Sequence, residues 1–403
     1  MSALKYWLWL SAAAGVSPAA KSAVIKYYGD AEKAYYAPKG EISAIRGISG
    51  READILEKRD LSGLPRLEEQ CEIQNISAVA MCDSAYPDSL KNIYLPPPVL
   101  YVKGRIPDLE TYPAVAVIGT RRASSYGLKM GADMAWQICR CGGIVISNLS
   151  AGIDTQAARG ALLAGGKCLG ILAVPHERVS GRLYEDIAAG GALISEHPPG
   201  TVPQKSYFRD RNRIASGLSL GVVVIEAPER SGTRLFAAEA AEQGKEIFAV
   251  PGNADSRLCA GSNALIKEGA KLVTEGREVM AEFAPLFPGV IRDAGGECPE
   301  VQEPENSREG ADTERNSAAD TEKDIDTKKN GGSIDLREQL KLLSEDQLRI
   351  ISAIDKNDAH IDDIIESTGL PASKVLSQLT VLEIKGYVKR KPGRRFSLNT
   401  AKK

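Results

Sequence analysis

Six short apolar runs, repeating about every 25 residues between positions 113 and 285, restrict this chain to very few folds. They are residues 114–118 (AVAVI), 144–147 (IVIS), 168–174 (CLGILAV), 192–195 (ALIS), 221–225 (GVVVI) and 246–250 (EIFAV). Each is too short for a helix, rich in β-branched side chains, and followed by a turn and a helical pattern. Strands that are apolar without alternation are buried on both faces, and helices between them force parallel crossovers. The expectation is an α/β fold: a Rossmann-like, doubly wound parallel sheet over 113–287.

The flanks read differently. Residues 1–70 look helical, with turns centred on Gly15, Gly29, Gly47 and Gly63, and predict a small helical domain. Its opening, Lys5 followed by YWLWL and SAAA, has the outline of a secretory signal. The helical spacing of Leu4, Trp7, Leu8 and Leu10 instead predicts a buried helix. A Pro-rich extension, 71–112, leads into the sheet. Beyond the sheet, residues 292–335 hold 13 acids and 6 bases in 44 positions and no aromatic. So little apolar surface cannot offset the entropy of ordering, and 288–340 is expected to be a disordered acidic linker.

Residues 341–403 carry 12 bases against 8 acids. The pattern gives three helices, near 345–356, 361–367 and 373–385, then two strands around a turn at Pro392 and Gly393. Three helices and a two-stranded ribbon make a winged helix. Lys389, Arg390, Lys391, Arg394 and Arg395 would serve duplex contacts, or the module would dock a protein.

In an open α/β sheet the ligand sits beyond the carboxyl ends of the strands. The loop after the first of the six runs, 119–126 (GTRRASSY), offers Gly119 for close backbone approach, then Thr120, Arg121 and Arg122 for an anion at a helix start. It is not GxGxxG, so a nicotinamide-type fingerprint is missing. Residues 161–168 (ALLAGGKC) resemble a Walker loop only at Gly166 and Lys167, and they run from helix to strand, the reverse of what is needed. Residues 205–213 (KSYFRDRNR) interleave Lys205, Arg209, Arg211 and Arg213 with Tyr207 and Phe208, a composition suited to unstacked single strands. The bland reading makes Phe208 and Ile214 core and the bases a solvated face. Residues 229–234 (ERSGTR) add Ser231 and Gly232 at another helix start. Three such loops at one sheet edge would form one polyanion-binding rim.

For catalysis there is little. No acid or His cluster has metal-ligand spacing, no GxSxG occurs, and Asp154 reads as a helix-start carboxylate. Seven scattered Cys without a CxxC pair point to reduced thiols in a cytoplasmic setting, and no apolar run is long enough to span a membrane. No cofactor or metal is expected.

The ordered motifs resemble the DNA-processing protein A family (DprA, also called Smf). They are Tyr86 and Pro87 with Leu90; 97–101 (PPVLY); 115–121 (VAVIGTR) with 126–127 (YG); 152–154 (GID) and 159–162 (RGAL). Further on come 191–200 (GALISEHPPG), Phe208, 211–219 (RNRIASGLS), 224–227 (VIEA), 230–233 (RSGT), 244–252 (GKEIFAVPG), 261–263 (GSN) and 265–270 (LIKEGA). The resemblance implies a SAM- or helix-hairpin-helix-like front domain and a non-enzymatic function. Its elements are single-stranded DNA binding, loading of the RecA recombinase, displacement of single-strand-binding protein in natural transformation, and homodimers. It puts Gly119, Thr120, Arg121, Lys205, Arg211 and Arg213 on phosphates. Three departures stand out: Ala151 in place of the usual arginine, Ala158 in place of a histidine, and a shortened loop at 175–181, where Arg178 or Arg182 would restore charge. Two rival readings remain. One is a nucleotide phosphoribosyl hydrolase, for which Glu226 is the candidate carboxylate although the expected PGGxGT loop is missing; the other is a winged-helix transcription regulator.

Overall fold

The computed structural model describes residues 3–294, 296, 298–299, 344–354, 359–384, 387–391 and 395–398. All six expected strands are present: β3 (Ala114–Ile118), β4 (Ile144–Ser147), β5 (Cys168–Leu172), β6 (Ala192–Ser195), β7 (Gly221–Val224) and β8 (Glu246–Ala249). They pair in parallel in the order β6-β5-β4-β3-β7-β8. The chain steps outward from β3 to β6, then crosses back so that β7 lies on the other side of β3. That reversal puts a topological switch point between β3 and β7.

The sheet is larger than its apolar runs indicate. The Pro-rich extension supplies β1 (Ser77–Ala80) and β2 (Val99–Gly104), added antiparallel beyond β6, and β9 (Lys271–Leu272) closes the other edge. The result is one nine-stranded, mixed but mainly parallel sheet. Its strands bury side chains on both faces. Ala114, Ala116 and Ile118 pack on one side with Ile214, Leu218, Phe236 and Leu265, whereas Val115 and Val117 pack on the other with Met134, Ile138, Ile153 and Val279.

Helices α1 (Leu4–Ala12), α2 (Pro18–Tyr28), α3 (Ala31–Tyr35), α4 (Gly50–Glu57) and α5 (Leu64–Ile73) form the front domain. The start of α2 is written in its sequence: the Ser17 side chain accepts from the Ala20 amide, Pro18 takes the first helical position, and Gly29 ends the helix at φ 72°. The apolar stretch that outlines a secretory signal is α1, buried from Tyr6 to Ser11 at the centre of this domain. Its Ser11 hydroxyl hydrogen-bonds the Tyr101 hydroxyl at 3.3 Å, fastening the domain to β2.

The stretch read as a linker, 288–340, falls mostly outside the described residues. After it come α15 (Glu345–Ala353), β10 (Ala359–His360), α16 (Ile361–Thr368), α17 (Ala372–Ile384), β11 (Val388–Lys391) and β12 (Arg395–Leu398). Ser344 and Gln347 form a capping box at the start of α15. The order β10-β12-β11 and the core of Ile350, Ile364, Val375, Leu379, Leu382 and Phe396 are those of a winged helix. Lys389, Lys391 and Arg395 are exposed on its ribbon, Arg390 lies on β11, and Arg394 is outside the described residues.

Candidate nucleic-acid interface

The loops leaving the carboxyl ends of β3 and β7 bound one crevice at the switch point. The loop after β3 is held from beneath. The Gly119 amide donates to Asp154 Oδ1 at 3.0 Å, and the Thr120 amide donates to the Glu226 carbonyl at 2.9 Å. Glycine makes this approach possible. A Cβ on Gly119 would lie 2.2 Å from Ile153 Cδ1, and one on Gly152, where φ is +87°, would lie 2.6 Å from the carbonyl oxygens of both Thr120 and Arg121. Ser124 then caps α7 (Ser125–Arg140), its hydroxyl accepting from the Gly127 amide at 3.1 Å. Arg121 and Arg122 emerge exposed from this fixed turn.

The second wall comes from 205–213. It forms α10 (Tyr207–Asp210) and runs into α11 (Asn212–Leu218). Lys205 and Arg209 are exposed, with Arg209 Nε 3.6 Å from Glu239 Oε1. Phe208 is half-buried, and the Arg121 guanidinium carbon lies 5.7 Å from its ring centroid. This cation–π contact joins the two segments into one surface. The sequence left Phe208 two readings, a face for an unstacked base or a core ring, and the structure half-buries it beside Arg121. Beside it, Tyr207 stacks on His197 with centroids 3.9 Å apart.

Arg211 and Arg213 are placed differently from the other bases of this segment. Both are buried, at 6% and 8% exposure, and both are engaged below the surface. Arg211 donates to the Asn148 carbonyl at 2.6 Å and to Ser150 Oγ at 3.2 Å, and its guanidinium carbon lies 5.8 Å from the Phe208 ring centroid. Arg213 pairs with Glu196 at 2.5 Å. A guanidinium already desolvated and held in this way supports the wall and does not project from it.

The third element is the start of α12 (Gly232–Glu242). Ser231 Oγ accepts from the Arg234 amide at 3.4 Å, which leaves its O–H to donate outward, and Gly232 and Arg230 are exposed. After β8, Asn263 clamps Gly252 by two hydrogen bonds of 3.0 and 3.1 Å, and the Tyr126 hydroxyl donates to the Pro251 carbonyl at 3.1 Å. Arg121, Arg122, Lys205, Arg209 and Arg230 thus leave exposed bases along one sheet edge, with an aromatic ring between them.

A family model described as DNA recombination-mediator protein A matches residues 77–284, and one described as DprA winged helix domain matches 337–394. The DNA processing protein DprA of Bacillus subtilis is 37% identical over 55% of this chain and 75% of its own. The chain belongs to the DNA recombination-mediator protein A family. Protein Smf of Synechocystis is 29% identical across 97% of this chain and 98% of its own length. The crystal structure of DNA processing protein A from Streptococcus pneumoniae superposes with a TM-score of 0.60 at 32% identity, covering 69% of this chain and 97% of that one.

The DprA-type rim contains two buried carboxylates with different duties. Glu226 is 1% exposed; its Oε2 accepts from the Ser124 amide at 3.0 Å and its Oε1 from the Ser124 hydroxyl at 2.5 Å. The residue that an enzymatic reading would need is therefore engaged in fixing the β3 loop. Among the described residues no group of three or more His, Cys, Asp or Glu side chains is placed to hold a metal. Nor is any described helix long and apolar enough to cross a membrane. Of the departures from the family pattern, Ala158 is fully buried against the sheet and Ala151 is exposed beside Gly152. Arg182 lies 3.6 Å from Asp186 at the start of α9 (Arg182–Gly190), and Arg178 is exposed.

Asp154, the second carboxylate, is pushed up to about 7 by burial, against the opposing pull of Arg211, the Gly119 amide and Arg121. An unfolded aspartate titrates near about 4. Between these values the folded state binds more protons than the unfolded one, so this residue's contribution to stability falls as pH rises through that window. Asp154→Asn cannot ionise and keeps an oxygen for Gly119. Its stability relative to wild type should therefore climb from pH 4 to pH 7 by something on the order of 4 kcal/mol. Urea melts at several pH values would show this. A difference flat with pH would mean that Asp154 is ionised throughout.

The buried arginines give a second expectation. Arg213→Ala strands Glu196 and should lower stability by about 3–5 kcal/mol. Affinity for DNA, measured on protein still folded, should change less than twofold. A large loss of affinity at unchanged stability would return Arg213 to the binding surface.

Proposed function

We propose that this chain is a single-stranded-DNA-binding recombination mediator that holds and hands over DNA without catalysing a reaction. The observation that carries this reading is Arg121 laid over the half-buried Phe208 at the switch-point crevice. A phosphate-seeking guanidinium and a π-face for an unstacked base stand together, and duplex DNA offers no exposed base face to such a ring. Thr120 contributes its hydroxyl from the loop leading to α7, whose close backbone approach Gly119 permits, and Ser231 and Gly232 contribute donors at the start of α12. Arg122, Lys205 and Arg209 extend the positive track along the backbone.

Family membership supports the wider role: protection of incoming single strands, displacement of single-strand-binding protein, and transfer to RecA in recombination and natural transformation. A homodimer would present two rims to one strand and raise its avidity. The setting is cytoplasmic, in keeping with seven free cysteines.

The test compares a fluorescent poly-dT oligomer with a duplex of equal length across a salt series. Tighter binding of the single strand, with affinity falling steeply with salt, is the expected result. Duplex binding equal to or stronger than single-strand binding would sink the proposal.

A further inference from the structure

A winged helix that reads duplex DNA lays its third helix in the major groove. Here that helix, α17, packs against α12 of the sheet domain. Polar contacts span the seam. Gln347 Nε2 donates across it to Glu242 Oε1 at 3.2 Å, the Ser377 hydroxyl reaches the Ala241 carbonyl at 3.5 Å, and within the winged helix Gln347 Nε2 is also held by Gln378 Oε1 at 2.9 Å.

Burial on both sides follows from this packing. Val381 is 1% exposed, yet it stands outside the winged-helix core, to which α17 contributes Val375, Leu379 and Leu382. Ala238 is 9% exposed and stands outside both sheet cores, to which α12 contributes Phe236, Ala237 and Ala240. Ser377, Gln378 and Val381 recur at spacings of three and four, so they form one stripe along α17, distinct from the core stripe.

The chemistry of α17 does not suit a groove. Lys374 is its one basic residue, and it is paired with Asp346 at 2.8 Å. Base reading and phosphate anchoring rely on Arg, Lys, Asn and Gln projecting from the helix, whereas the outward stripe here is a serine, a buried glutamine and a valine. Among the described residues, Lys389, Arg390, Lys391 and Arg395 stand on the ribbon and Arg349 on α15.

We infer that the third helix of the winged helix is a protein-docking face, and that its partner is α12 of the same chain. A small interface of mixed polar and apolar character is of the kind that opens and closes within multidomain chains. The docked module covers the outer side of the helix whose first residues, Ser231 and Gly232, belong to the rim.

Two neutral substitutions test this on the full chain, one from each side of the seam: Ala238→Gln and Val381→Gln. Neither residue belongs to a hydrophobic core cluster, and neither change adds charge that would itself attract DNA. Hydrogen exchange followed by mass spectrometry should show both 235–242 and 372–384 exchanging at least fivefold faster in either variant, with β3 to β8 unchanged. Duplex affinity should move less than twofold. Exchange unaltered by both substitutions would overturn the docking. A tenfold gain in duplex affinity on release would make α17 a masked base reader and overturn its role as a docking face. Wild-type protection of α17 that disappears on dilution would place the partner on a second copy and overturn the assignment to the same chain.

Discussion

Phe208→Ala should weaken binding of single-stranded DNA by roughly five- to 150-fold, the equivalent of about 1–3 kcal/mol of base stacking. Because the ring carries no charge, the slope of affinity against salt should stay as in wild type. Arg121→Ala should also cost affinity, about tenfold at moderate ionic strength, but through a different term. One lost phosphate contact on a single strand lowers the salt slope by about 0.7. The two residues touch, with the guanidinium 5.7 Å from the ring centroid, so their effects should not add. Removing Arg121 frees the ring to reorient, and removing the ring leaves Arg121 without its platform. Fluorescence anisotropy with poly-dT at several salt concentrations separates the terms. A Phe208→Ala variant with unchanged affinity would reduce the ring to packing.

The framework of the rim was legible because it depends on patterns that sequence carries locally. Short, largely apolar runs fix the six inner strands, and Gly, Ser and Thr just after them mark where helices begin. The outer strands were not legible. Residues 77–80 and 99–104 border Pro-rich turns, and their pairing with β6 is a long-range choice. The sheet therefore begins well before position 113. The two-residue β9 offers too little sequence to carry a period at all.

Site residues divided along the same line. Composition places arginines at 205–213 but cannot say which of them face water. Arg209 is exposed, while Arg211 and Arg213 are buried because Asn148, Ser150 and Glu196 receive them from other segments. Those partners lie 17 to 63 residues away in sequence, beyond the reach of any local pattern. Asp154 and Glu226 illustrate the converse. Each reads as an isolated acid near a strand end, yet each receives a backbone amide of the β3 loop, and together they set where Arg121 stands.

Gly152→Ala should produce the largest loss of stability of any single methyl addition at the rim, about 2–4 kcal/mol. The backbone there has φ 87° and ψ -128°, a region that side chains with a Cβ scarcely enter. The new methyl would also lie 2.6 Å from two carbonyl oxygens, those of Thr120 and Arg121. These oxygens belong to the loop that presents the guanidinium, so relieving the clash must move the binding element itself. Thermal midpoint and single-strand affinity should therefore fall together. Gly232→Ala provides the contrast. Nothing lies within 4 Å of its Cβ position, and alanine favours the first turn of α12, so stability should hold or rise by up to about 1 kcal/mol. If a phosphate approaches the α12 amides closely, affinity alone should fall in that variant. Loss of stability without loss of binding in Gly152→Ala would separate the β3 loop from the DNA path. Unchanged binding in Gly232→Ala would confine the path to the crevice between Arg121 and Phe208.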